Sequence, residues 1–222
     1  MRVSDESNCM SPTYDGYVYD VVEIGDQCWF AENLRSTLYA NGDSIFHCPL
    51  TTCYEEWRKV EATGKRIEFE DDHEQAEVTG QLYNFWAVTD PRGLCPSGWK
   101  VPSSWDWFCL VVELGGEDVI WTEGAMVELE NTLVAPSKNW LGIRATNSSG
   151  LGILPGGKFS PNGKLFSMTS NRAYLWSSTL VDEGSGFSVE LGWGGGRESL
   201  PSFYTDLNHA LSVRCLKDFA SE

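Results

Sequence analysis

Hydrophobic and polar positions alternate early in the chain. Over Tyr14 to Leu34, Val18, Asp20 and Val22 interleave with Tyr19, Val21 and Glu23, Gly25-Asp26 forms a turn signal, and an apolar run resumes from Cys28 to Ala31. That pattern predicts a β-hairpin. From Gly80 to Gly116 the period changes. Leu82 to Val88 reads as a buried aromatic strand, and Pro91, Gly93, Pro96 and Gly98 mark turns. Trp107, Leu110, Val111 and Leu114 then fall at three- and four-residue steps, which predicts a helix capped by Ser103 or Ser104, running to about Leu114 and stopped by Gly115-Gly116. Two weaker helices follow from the same logic, one capped by Thr52 through Tyr54, Trp57 and Val60, the other over Glu123 to Leu133.

Composition narrows the class. Ten Trp, ten Phe, eight Tyr and 22 Gly in 222 residues favour short strands and structured loops over a helical bundle. The net charge of −16 argues against nucleic acid, whose binders carry a basic face, and against attraction to anionic lipid. No apolar run is long enough for a bilayer span, so membrane insertion is not expected. The opening residues MRVSDESNCMSP hold no secretory signal, whereas seven cysteines suit an oxidising compartment. A cleaved exported form or a virion-assembled protein reconciles the two. The odd count leaves one thiol unpaired, available for assembly with another chain; Cys9, Cys28, Cys48, Cys53 and Cys109 cannot be assigned to pairs from sequence. Cys48 and Cys53 are near enough to bridge, and Cys109 is expected as a buried thiol beside the helix's apolar face.

Two motifs carry a resemblance. LYNFWAV at 82–88 and LCPSGWKVPSSWDW at 94–107 resemble the signature of the Fibrobacter succinogenes major paralogous domain, with Phe85-Trp86 for Trp-Tyr, Lys100 for His and Asp106 for Glu. DGYVYDVVEIGDQCWFAENL, TNSSGLGILPGG, LWSST and SVRCLKD match further family segments in order. The resemblance implies an α+β, C-type-lectin-like fold of short twisted antiparallel strands, one or two main helices and long structured loops. It places one domain at 14–218, with an extension at 1–13 and a tail at 219–222. It also implies exported bacterial or viral relatives. Cys95 and Cys215 both lie inside its motifs and are expected to pair.

Candidate chemistry is thin. Asp15, Asp26 and Glu32 lack calcium-loop spacing. The acidic run Glu68–Glu77, with Asp71, Asp72, His73 and Glu77, reads as a short solvated helix capped by Asp71 rather than a metal site. The glycines at 192 and 194–196 lack the partners of a phosphate loop and read as a hairpin tip. Asn147-Ser148-Ser149 is a formal glycosylation sequon that also suits a tight turn. The three histidines fall in unrelated segments, and there is no GxSxG elbow or HExxH. No cofactor is expected. A formylglycine-generating or glycan-processing enzyme is the weaker reading, because Cys215 alone does not supply a copper-binding cysteine pair. In lectin-like folds the loops before the last strand carry recognition. Here those loops offer Trp193, Arg197, Phe203, Tyr204 and Asp206, aromatic faces beside polar groups suited to a surface glycan. The expectation is a non-catalytic recognition or adhesion module at a cell or virion surface, with a structural protein that binds only protein neighbours as the alternative.

Overall fold

A computed structural model describes residues 9–57, 59, 62–68, 72–115, 125–137, 143–161, 172–192 and 203–219. Among the described residues it shows mixed α/β content, with few helices and four small, mostly antiparallel sheets. A two-stranded ribbon, β1 (Thr13–Tyr14) with β2 (Tyr17–Val18), leads into the central sheet. The predicted hairpin forms there as β3 (Val21–Ile24) and β4 (Gln27–Phe30), turning at Gly25, whose φ is +57°. The sheet is completed by β8 (Trp99–Lys100) and β12 (Leu216–Lys217), in the order β3-β4-β12-β8. Early and late segments of the chain therefore meet across β4 and β12, where Phe30 N–H donates to Cys215 O at 2.9 Å.

A second sheet joins β5 (Phe46–His47) in parallel to β6 (Lys65–Ile67), and β6 antiparallel to β7 (Leu82–Tyr83). Between β5 and β6 lies α1 (Leu50–Trp57). It starts before the expected cap Thr52, because Pro49 fixes the entry. The Pro49 carbonyl accepts from Cys53 N–H at 2.8 Å. Helix α2 (His73–Thr79) is the short helix expected in the acidic run; Asp71 lies outside the described residues. The strand expected over Leu82 to Val88 stops at Tyr83. Asn84 is fully buried, and its Oδ1 accepts from Lys65 N–H at 2.8 Å and from Ala87 N–H at 3.1 Å. An N-cap of this kind converts the rest of the motif into one helical turn, α3 (Phe85–Val88).

Helix α4 (Ser104–Gly115) forms as predicted. Ser103 Oγ accepts from Asp106 N–H, and Asp106 Oδ2 accepts from Ser103 N–H at 2.7 Å. This is a reciprocal cap with Asp in the acidic position. Gly116 and Glu123 lie outside the described residues, and the weaker helix appears as α5 (Ala125–Leu133). Asn147 sits in a left-handed turn, φ +51°, and its Oδ1 accepts from Gly152 N–H at 2.7 Å. The third sheet, in the order β11-β10-β9, consists of β9 (Arg172–Asp182), β10 (Ser185–Gly192) and β11 (Phe203–Asp206).

Two cores share the same strands. On β4, Cys28 and Phe30 face a first, aromatic core with Tyr19, Tyr83 and Trp176, while Trp29 faces a second core with Trp107, Leu110 and Leu129. Likewise Cys215 enters the first core and its neighbour Leu216 the second. A smaller third core holds Cys48, Trp57, Ile67 and Phe159. Arg214, fully buried, stitches distant segments together. Its guanidinium donates to Asn33 Oδ1 at 3.0 Å and to the carbonyls of Phe30, Leu151 and Gly152. Burial pulls its pKa down from 12.5 to about 9, so it is still charged at neutral pH.

Candidate functional site

The third sheet displays one strand at its edge. In β11, Tyr204 stands opposite Phe187 and Asp206 opposite Ser185, while Thr205 points to the other face and shares a buried hydroxyl bond of 2.8 Å with Ser188. Alternation thus aims Tyr204 and Asp206 the same way. Phe187 packs against the second core, to which α4 contributes Trp107 and Leu110, so Tyr204 stands on the sheet face that α4 covers. The helix is tied to that sheet at its start: Ser104 N–H donates to Thr179 Oγ1 at 2.9 Å, and Ser178 N–H to Pro102 O at 2.8 Å.

The outer side of α4 carries a pair that sequence reasoning missed. Trp105 and Phe108 are stacked, with centroids 5.0 Å apart and planes at 23°. They are 67% and 41% exposed, and Tyr204 is 74% exposed. Three aromatic rings therefore face solvent from elements fixed to one another. The missed signal was Trp105 and Phe108 at i and i+3 beside, rather than within, the stripe at 107, 110, 111 and 114.

Of the five predicted ligand residues, Trp193 and Arg197 lie outside the described residues, and Phe203 is described only as the backbone partner of Ser188. Tyr204 and Asp206 come together on β11. Asp206 is committed locally: its Oδ1 accepts from Asn208 N–H at 2.8 Å, and its carbonyl from His209 N–H at 2.9 Å. Both bonds close the turn out of the strand.

A polar row lies near the opposite face. Lys158 Nζ sits 4.3 Å from the Tyr174 ring centroid, and Arg172 pairs with Glu190. Burial lowers the Lys158 pKa and raises that of Tyr174. Ser160 Oγ is 3.1 Å from His209 Nε2, and burial, reinforced by Lys158, lowers the His209 pKa to about 4 and keeps it neutral. This contact has the first two members of a nucleophile–base pair. Nδ1 of His209, however, is buried without a hydrogen-bond partner, so among the described residues no carboxylate orients the ring.

Cysteine chemistry is settled by pairing. Cys95 joins Cys215, as expected, and Cys9–Cys28 and Cys48–Cys53 complete three disulfides. Cys109 is free and half-buried, not the buried thiol expected, because α4 turns it towards the flank that holds Trp105 rather than into the second core. Asp15 accepts from Thr37 N–H at 2.7 Å, and Glu32 accepts from the Tyr17 hydroxyl at 2.9 Å and pairs with Arg35, so these carboxylates brace loops. In the acidic run, His73 lies 3.5 Å from Glu68 and 3.8 Å from Glu77. Among the described residues no group of three or more His, Cys, Asp or Glu side chains is placed to hold a metal ion. Nor is any described helix long and apolar enough to cross a membrane.

These features define a disulfide-stapled α/β domain that shows an aromatic surface. The chain belongs to the Fibrobacter succinogenes major domain family, whose model matches residues 22–217. Searches among curated proteins and solved structures find no match.

Proposed function

We propose that this protein is a non-catalytic recognition module of C-type-lectin-like architecture that works outside the cytoplasm, at a cell or virion surface, and binds glycans. The observation that carries this reading is the set of exposed rings, Tyr204 on β11 with Trp105 and Phe108 on α4, held on one side of a sheet by ordered hydrogen bonds. Sugar rings present C–H faces that stack on exposed aromatics, and rigid elements lower the ordering cost of binding. Three disulfides suit an oxidising compartment. The meeting of early and late strands in one sheet supports the architectural part. A second reading, docking to a protein neighbour alone, draws support from Leu180 and Val181, which are exposed near the β9–β10 turn. Among the described residues an enzymatic role would start from the Ser160–His209 contact, where no group orients Nδ1, and Cys215 is consumed in a disulfide.

The test is a glycan array with the oxidised protein beside Trp105→Ala and Tyr204→Ala, each checked for native circular dichroism. Saturable binding that either substitution removes supports the reading and locates the site. Binding unchanged by both would move the site elsewhere. No binding to any glycan would favour the protein-neighbour reading.

A further inference from the structure

We propose that Cys48–Cys53 is a thiol-exchange site, opened by external dithiols and reclosed by disulfide oxidants in the folded protein while the other two disulfides stay shut. Three observations meet there. Cys48 is fully buried and Cys53 is half-buried, so an incoming thiolate reaches only the Cys53 sulfur. The bridge spans five residues, from the residue before Pro49 to the first turns of α1, so both thiols stay on one local element once it opens. That element is held independently of the bridge. Cys48 N–H donates to Arg66 O at 3.0 Å, Trp57 Nε1 donates to Cys48 O at 2.8 Å, Lys65 Nζ donates to Glu56 O at 2.8 Å, and Trp57 packs edge-on against Phe159.

The contrast with Cys95–Cys215 is steric and topological, and that with Cys9–Cys28 is topological. Cys95 and Cys215 are both buried in the first core and lie 120 residues apart. Cys9–Cys28 also pairs a half-buried with a buried cysteine, but its reclosing would depend on the whole 19-residue span. Exposed disulfides are the labile ones, and exchange is governed by access and by the leaving thiol. Here a reductant thiolate attacks the Cys53 sulfur, and the Cys48–Cys53 bond breaks with its electron pair leaving on Cys48, which takes a proton from water. The reductant's second thiol then displaces Cys53 and closes as a cyclic disulfide. The protein has gained two electrons and two protons. A disulfide oxidant such as oxidised glutathione reverses both steps.

The experiment uses the full chain with Cys109→Ser, which removes the internal thiol. Native protein is held in graded dithiothreitol, quenched with acid, freed of reductant, alkylated with iodoacetamide in denaturant and mapped by peptide mass spectrometry. Cys48 and Cys53 are expected to be alkylated together at a reductant level about tenfold or more below that needed for the other four cysteines. Near-ultraviolet circular dichroism should be kept, and the bond should be restored by oxidised glutathione. With glutathione as the limiting reductant, the mixed disulfide should map to Cys53. Labelling of another pair first or simultaneously, loss of the folded signal at that level, or an adduct on Cys48 would overturn the proposal.

Discussion

The two large cores are built from opposite faces of the same strands, yet they are held in different ways. The first is aromatic and cross-linked: Cys28, Cys95 and Cys215 lie within it, and Tyr19 stacks on Phe30 with centroids 4.5 Å apart. The second, among Trp29, Trp107, Leu110, Leu129, Leu133 and Leu175, contains no cysteine among the described residues. Burial also raises the pKa of Tyr19, Tyr83 and Tyr174, all three in the first core, so its polar tips are held un-ionised well into alkaline solution. A domain that has to present a face can keep its covalent staples away from it. Here α4, which carries the exposed rings, is seated on the uncross-linked core.

The largest test of this contrast removes the staple, which closes a separation of 120 residues. Cys95→Ser with Cys215→Ser should cost about 5 kcal/mol. Denaturant unfolding measures this, and a loss below about 1 kcal/mol would mean that the first core does not need its cross-link. Next comes Leu110→Ala, a truncation at a fully buried site. Its cost should be about 3 kcal/mol. Hydrogen exchange should quicken at α4 and α5 amides and much less at Tyr83 or Val213; equal quickening in both would dissolve the distinction between the cores. The smallest effect is of pH. The folded-state pKa of His209 lies below its unfolded value, so the stability it contributes is complete above about 6.5 and is lost as pH falls towards about 4. Allowing for partial solvent screening, the loss should be about 1 kcal/mol. It should be felt where His209 meets Ser160, beside the Phe159 and Ala210 of the third core. If the His209→Gln variant titrates like the parent between pH 7 and 4, His209 is not the source.

How much of this was legible in the chain varied with range. Helix α4 was readable because its cap, Ser103 with Asp106, and its stripe are local. The Cys95–Cys215 pair was readable through family motifs, since a 120-residue separation leaves no local trace. The motif at 82–88 misled because its aromatic residues suit a strand, while the side chain of Asn84 reaches Lys65 and Thr63, nineteen and more residues away, to start a helical turn. Tyr204 was singled out because it precedes the closing strand. Trp105 and Phe108 were missed because a helix flanked by aromatic residues does not say which flank the sheet will cover.

The pairing of β4 with β12 has a mechanical consequence. A domain pulled from both sides would carry the load first across that antiparallel seam, with Phe30 bonded to Cys215 and Leu34 to Val213. If the seam gave way, the Cys95–Cys215 link, with its sequence separation of 120, would keep the residues between them, more than half of the 222-residue chain, out of the stretched contour. At roughly 3.4 Å per extended residue, that withholds about 400 Å of slack. Under load the domain would lengthen only to that limit and keep the strand that carries Tyr204 within an unloaded loop.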